Sequence, residues 1–144
     1  MKTLLTLLTL FSVTLAPLLA EPKVKAGPRN GRILVLEGSE AEFFVEANRR
    51  VSIAFYDPAG KRLPISGQVV IATAEAPGGK VKLEFAPKGD LLVSQAALPA
   101  GEGYQIVVQA RTTAEAKPRN FRIKLETHLC KECSKPEYAC ICNH

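Results

Sequence analysis

The chain has 144 residues, of which 47% are hydrophobic, 23% are charged and 6% are aromatic, with no tryptophan. This length suits one domain of ordinary size, and a composition with 10 glycines, 10 prolines and four cysteines excludes a collagen-like chain and a disulfide-dense miniprotein. The formal charge of +5 is a mild excess, so charge alone does not indicate a nucleic-acid-binding protein.

The N-terminal residues 1–20 have the pattern of a secretory signal peptide. Lys2 precedes an uncharged apolar stretch from Leu4 to Leu15, and Pro17 and Ala20 follow before a polar segment. The apolar stretch is shorter than the roughly twenty residues that a membrane-spanning helix needs. We therefore expect cleavage after Ala20 and a mature protein in the periplasm or outside the cell, with no membrane span; an uncleaved anchor is the alternative. Export would also separate the protein from cytosolic nucleic acid, so we expect no nucleic-acid partner.

The body of the chain has the pattern of a β-protein. Residues 21–30, which contain Lys, Pro and Ala, are expected to form a flexible lead-in. From residue 31 to 126, short runs rich in Val, Ile and Phe recur about every ten residues. Alternation of apolar and polar residues predicts half-buried strands at 41–45, 51–55, 81–85 and 121–125. Continuous apolar runs at 69–71 and 106–108 predict central strands.

Glycine and proline separate these runs. The segments 57–60, 77–79 and 88–90 are predicted turns because proline presets φ and glycine tolerates positive φ, and 112–120 is a predicted surface loop. The expected fold is an all-β, immunoglobulin-like antiparallel β-sandwich of about eight strands, followed by a short irregular cysteine-rich tail. No cysteine pair is available to bridge the two sheets, so packing alone must hold this core.

Two segments carry a resemblance to a known class of proteins. The sequences FYDPAGK at 55–61 and LPAGEGY at 98–104 resemble recurrent segments of small exported bacterial immunoglobulin-like β-sandwich proteins. Some of those proteins are associated with periplasmic metal handling and efflux. The resemblance covers most of residues 31–126 and implies the same sandwich fold.

The body lacks the residues expected of an enzyme. Nucleophilic catalysis needs a base beside the nucleophile, and the two histidines, His128 and His144, both lie in the C-terminal tail. Glu40, Glu42 and Glu46 alternate with apolar residues along a predicted strand, which indicates a solvated strand face rather than acid–base chemistry. We therefore expect a protein that is not an enzyme.

The tail, residues 127–144, contains the most specific signal in the chain. Six candidate metal ligands fall within it: His128, Cys130, Cys133, Cys140, Cys142 and His144. A C-x-x-C turn directs two thiolates at one ion and the C-x-C pair supplies two more, so the four could close a tetrahedral zinc site. Either histidine could replace one cysteine. The tail resembles a minimal zinc knuckle or ribbon, and zinc is preferred over copper because the mature chain lacks methionine.

Disulfide bonds are the alternative for these cysteines. An even number of cysteines in an oxidising compartment usually forms disulfides, and links between the two pairs are favoured over a strained bond within C-x-C. Two hypotheses follow: an exported metal-binding protein whose tail holds zinc, and a structural or interaction protein of the cell envelope with a disulfide-stapled tail. The partner is accordingly a metal ion or an envelope protein, and the sequence leaves the oligomeric state open.

Overall fold

The computed structural model describes residues 23–142, so the predicted signal peptide lies outside the described residues. Within this range the chain is all-β, with nine strands, no α-helix and one 3₁₀ helix at Glu137–Ala139. The strands in chain order are β1 (Arg32–Val35), β2 (Glu40–Val45), β3 (Val51–Tyr56), β4 (Arg62–Leu63), β5 (Val69–Ala76), β6 (Gly79–Lys88), β7 (Leu91–Ser94), β8 (Gln105–Arg111) and β9 (Arg119–Lys124). No helix among residues 23–142 is long and apolar enough to cross a membrane.

The strands form one antiparallel sheet. Their order is β1-β2-β3-β7-β6-β5-β8-β9, and the short β4 pairs with β3. Strand β6 links the two halves because residues 79–84 pair with β5, whereas residues 85–88 pair with β7. The sheet is nearly closed into a barrel, and the predicted all-β antiparallel fold is confirmed in this form.

The core lies between the two halves of the sheet. Alternating residues of β2 face it as predicted, with Ala41 and Phe43 fully buried. The predicted central strands β5 and β8 each have neighbours on both sides. Both halves contribute to a single apolar cluster whose largest members include Leu34, Phe43, Ile53, Phe55, Leu83, Ile106, Ile123 and Leu125.

The outer face of β2 and β3 differs from the prediction. Alternation predicted one solvated face, but all six residues of β3 are buried, and the Glu42 side chain on β2 has no exposed surface. The prediction of a solvated face is therefore wrong at Glu42. Its carboxylate accepts hydrogen bonds from the backbone N–H groups of Arg29 and Gly31 at 2.8 and 2.9 Å, and from the Tyr56 hydroxyl at 2.8 Å. These donors replace the water that an exposed carboxylate would bind.

The segment that precedes β1 provides this cover. It belongs to the predicted lead-in 21–30, and the structure places residues 25–30 against β1 and β2. Lys25 forms an ion pair with Glu40 at 2.6 Å, and Arg29 forms one with Glu46 at 2.8 Å. The Arg29 guanidinium also lies 4.5 Å from the centre of the Phe44 ring. The lead-in thus packs on the outer face of β2 through charged and aromatic contacts.

Candidate metal centre

The first cysteine pair lies on a tight turn of the backbone. The Cys130 N–H donates to the Lys135 carbonyl at 2.8 Å, and the Ser134 N–H donates to the Cys130 carbonyl at 2.9 Å. Ser134 has φ of 56°, in the left-handed region, which reverses the chain direction directly after Cys133. The C-x-x-C segment therefore folds as a compact turn with both thiols close together.

The second cysteine pair follows the 3₁₀ helix Glu137–Ala139. The Ala139 N–H donates to the Pro136 carbonyl at 2.8 Å, and the Cys140 N–H donates to the Glu137 carbonyl at 3.1 Å. The Cys142 N–H then donates to the Cys140 sulfur at 3.4 Å. This short helix turns the chain back, so that the C-x-C pair lies beside the C-x-x-C turn.

Tyr138 anchors the tail to the body. It is 3% exposed, and its ring packs edge-on against Phe43 at 5.9 Å between ring centres. Its hydroxyl accepts a hydrogen bond from the Val45 N–H at 3.1 Å, and its own N–H donates to the Glu126 carbonyl at 3.0 Å. Burial raises the pKa of the Tyr138 hydroxyl. Sequence reasoning did not single out Tyr138. The feature that could have identified it is an apolar pair, Tyr138 and Ala139, in an otherwise polar segment between the two cysteine pairs.

The four cysteine sulfurs form one cluster. All four Sγ atoms lie within 4.8 Å of one another. The separation is 3.9 Å between Cys130 and Cys142, and 3.6 Å between Cys133 and Cys140. Four sulfurs around a tetrahedral zinc ion, each about 2.3 Å from the metal, are about 3.8 Å apart. The spacing of the cluster therefore fits a four-thiolate zinc site.

The cluster has a buried and an accessible side. Cys130 and Cys140 are 3% and 8% exposed, whereas Cys133 and Cys142 are half-buried. All four cysteines lie within the described residues, and none is disulfide-bonded. The two separations above also exceed the bond length of about 2.05 Å.

Backbone hydrogen bonds favour the thiolate of Cys133. Desolvation favours its neutral thiol, but hydrogen bonds from the backbone of Lys135 and Ile141 and from the Cys140 thiol outweigh that effect. Together they lower the pKa of Cys133 to about 6. Thiolate is the form that binds metals, so this residue is prepared for coordination near neutral pH.

The pKa values of the two thiols in the C-x-C pair are raised instead of lowered. A hydrogen bond from the Cys142 backbone lowers the pKa of Cys140, but desolvation and the thiols of Cys130 and Cys133 outweigh it and raise that pKa to about 11. Desolvation, followed by the neighbouring thiols, also raises the pKa of Cys142. Thiols crowded together without a cation resist collecting several negative charges, and a divalent ion would supply the compensating charge.

His128 is not part of this cluster. The His128 side chain is exposed, and the metal-ligand group found among residues 23–142 contains the four cysteines without it. The His128 carbonyl has a different role, since it accepts a hydrogen bond from the Glu137 N–H at 3.0 Å. His144 lies outside the described residues.

Comparison with known proteins does not assign a family. No protein-family model matches the chain, and no curated protein or solved structure is significantly similar to it. The function is therefore inferred from the cysteine cluster and from the way the tail is attached to the body.

Proposed function

We propose that this protein is an exported metal-binding protein whose tail holds one zinc ion. The observation that carries this proposal is the cluster of four sulfurs at separations close to those of a tetrahedral zinc site. The ligands are Cys130, Cys133, Cys140 and Cys142. Four protein ligands leave no open position for a reacting water, so the proposed role of the ion is binding or structural rather than catalytic.

The proposed ion would fix the tail on the body. Among residues 127–142 of the tail, which the structure describes, only Tyr138 and Ala139 belong to the core cluster, which is little apolar surface for a segment of this length. A structural zinc site in a small peptide contributes roughly 10 to 16 kcal/mol of apparent binding free energy. That amount is sufficient to order the two cysteine turns around the Tyr138 anchor.

We also propose that the body is an immunoglobulin-like sandwich. The order β2-β3-β7-β6 corresponds to strands A-B-E-D of that fold, and β5-β8-β9 corresponds to C-F-G. Tyr104, directly before β8, donates from its hydroxyl to the Pro99 carbonyl at 2.8 Å. This contact has the form of the tyrosine corner that precedes strand F. In this proposal β6 pairs with one strand of each sheet, with β7 in the first and with β5 in the second.

Export and an envelope environment complete the proposal. Residues 1–20 would direct secretion, and the mature chain would meet metal ions and other envelope proteins there. A structural envelope protein with a disulfide-stapled tail is the second candidate, favoured by the short separation of two sulfur pairs. Metal content and thiol content of the same sample distinguish the two.

The test is metal loading of the reduced mature protein. After incubation with zinc and removal of unbound ion, we expect about one zinc per chain, measured by elemental analysis. The Cys130→Ser/Cys133→Ser variant should lose this zinc, whereas His128→Ala, which alters an exposed side chain of the same tail, should retain it. Cobalt(II) substitution provides a second measurement, because its absorption spectrum reports tetrahedral thiolate coordination.

Three results would contradict the proposal. Zinc uptake that is unchanged in the double cysteine variant would place the metal elsewhere, and loss of zinc in His128→Ala would assign a ligand role to that histidine. An isolated protein with a mass four hydrogens below the reduced value, which takes up no zinc after reduction, would favour the disulfide-stapled tail.

A further inference from the structure

We infer that the cysteine cluster is a thiol–disulfide switch, in which disulfide compounds oxidise two specific cysteine pairs and release the metal. The pairs are Cys133 with Cys140 and Cys130 with Cys142. The release of metal rests on the zinc site proposed above, whereas the pairing rests on the geometry of the cluster alone. Metal-bound and disulfide-bonded tails are then two states of one site.

The separation of the sulfurs permits this pairing. The two pairs lie at 3.6 and 3.9 Å, so each bond could form by a shift of less than about 2 Å of the two sulfurs together. Each bond would join the C-x-x-C turn to the C-x-C segment, and both can exist at once. Pairing Cys130 with Cys133 would instead leave Cys140 and Cys142 to form a strained bond across one residue.

The burial of the cysteines distinguishes the proposed pairing from the last alternative, which joins Cys130 to Cys140 and Cys133 to Cys142. Each proposed pair joins a half-buried residue, Cys133 or Cys142, to a buried one. A disulfide compound can reach the half-buried member, and the buried member then completes the bond. Linking Cys130 to Cys140 would require attack at two residues that are only 3% and 8% exposed. Thiol–disulfide exchange depends on access to the attacking sulfur, so the proposed pairing is favoured.

An open cavity of about 300 Å³ adjoins the cluster on the side of Cys130. It is bordered by His128, Leu129, Cys130, Lys131, Glu132 and Glu137. The Leu129 side chain is 63% exposed, and Ile141, between the last two cysteines, is 51% exposed.

The chemistry balances with a disulfide as the oxidant. The accessible cysteine thiolate attacks one sulfur of the compound, which forms a mixed disulfide and expels one thiolate. The buried cysteine thiolate then attacks the accessible cysteine sulfur, which forms the protein disulfide and expels a second thiolate. Two electrons pass to the compound for each pair. Two molecules of oxidant therefore convert the four cysteine ligands, and zinc leaves as Zn²⁺ with its charge unchanged.

The test uses zinc-loaded mature protein and oxidised glutathione. A chromogenic zinc indicator should show one zinc released for every two protein disulfides formed, and excess dithiothreitol with added zinc should restore the original load. Retention of zinc, with all four cysteines still unoxidised under a large excess of oxidant, would overturn the switch. Zinc release without disulfide formation would overturn it as well.

The pairing is measured with single variants. After oxidation, the one remaining thiol is alkylated in denaturant and located by peptide mass spectrometry. We expect the label on Cys133 in Cys140→Ser and on Cys130 in Cys142→Ser, whereas His128→Ala should form both bonds like the unchanged protein. A label on Cys130 or Cys142 in the Cys140→Ser variant would refute the pairing.

The same measurements separate this inference from the proposed zinc site. A reduced protein that never binds zinc refutes the zinc site, and oxidation of that metal-free protein still decides the pairing. A protein that binds zinc but forms other disulfides, or none, refutes the switch and leaves the zinc site standing.

Discussion

Glu42 is the residue at which the structure departs most from the sequence pattern. Its carboxylate has no exposed surface, and its two oxygens accept hydrogen bonds from two backbone N–H groups and the Tyr56 hydroxyl. Gly27 and Gly31 lie so close that a Cβ atom at either position would collide with the Glu42 side chain. The carboxylate therefore organises the turn 27–31 as a hydrogen-bond acceptor at its centre.

We predict that Glu42→Ala destabilises the fold far more than Glu40→Ala. The Glu42 variant leaves the N–H groups of Arg29 and Gly31 without this acceptor, and the buried Gly31 donor alone costs about 1–3 kcal/mol. Glu40 lies two residues away on the same strand and pairs with Lys25, whose side chain is 60% exposed, so its removal should cost less than about 1 kcal/mol. Urea unfolding followed by circular dichroism measures both changes. Equal losses in the two variants would contradict this role for Glu42.

For single residues, the sequence indicates the chemistry that a side chain can perform better than it indicates what surrounds that side chain in the fold. The spacing of Cys130, Cys133, Cys140 and Cys142 was sufficient to nominate a cluster, and the structure places their sulfurs together. Alternation correctly predicted that Glu42 faces away from the core. It could not show what covers that face, because the covering residues 27–31 contain no periodic pattern and their contacts are with side chains of β2 and β3.

An aromatic side chain packs the tail into the core of the body. Tyr138 contacts Phe43 and Val45 of β2, and the helix Glu137–Ala139 positions it between the two cysteine pairs. A second link is the Glu102 carboxylate, which accepts hydrogen bonds from the Thr127 N–H and hydroxyl at the start of the tail. The tail is thus held against the body at Thr127, where it begins, and at Tyr138, between the two cysteine pairs.

We predict that Tyr138→Ala lowers the free energy of unfolding by about 3–5 kcal/mol, because it removes a large buried ring from the core. Tyr138→Phe should cost about 1 kcal/mol, since it removes only the acceptor of the Val45 N–H. Leu129→Ala is the matched control in the same tail and should change stability by less than about 0.5 kcal/mol, because Leu129 is largely exposed. Denaturant unfolding of zinc-saturated samples provides the comparison. A Tyr138→Ala protein as stable as the Leu129→Ala control would exclude the anchor.

Strand positions were predictable from sequence, whereas strand partners were not. The alternation at 41–45 and 121–125 marks β2 and β9, and the turn at 88–90 separates β6 from β7. The division of β6 between β5 and β7 has no local signature, because it depends on register with strands elsewhere in the chain. Pairing is decided by long-range packing, which one sequence pattern does not encode.

At the scale of the whole molecule, the tail and the body share one core. Tyr138 and Ala139 belong to the same buried cluster as Leu34 and Phe43, and the Lys135 amine donates to the Asn30 side chain at 3.2 Å across the tail and the lead-in. Segments that share a core usually unfold together in a domain of this size. The tail is therefore expected to unfold with the sheet and not as an independent appendage.

We predict from this coupling that zinc stabilises the entire domain. A ligand that binds the folded state alone, at a free concentration about 100 times its dissociation constant, adds about 2.7 kcal/mol. For a domain of this size that corresponds to a rise of about 10 °C in the unfolding midpoint. Far-UV circular dichroism, which follows the sheet, and tyrosine fluorescence, which includes Tyr138, should report one coincident transition that moves with zinc.

Removal of zinc by a chelator should reverse the shift, and the Cys130→Ser/Cys133→Ser variant should show no shift at all. If the two measurements gave separate transitions, and zinc moved only the one seen by tyrosine fluorescence, the tail would fold apart from the sheet. The metal would then order the cysteine turns without contributing to the stability of the β-fold, and the link through Tyr138 and Phe43 would be too weak to couple them.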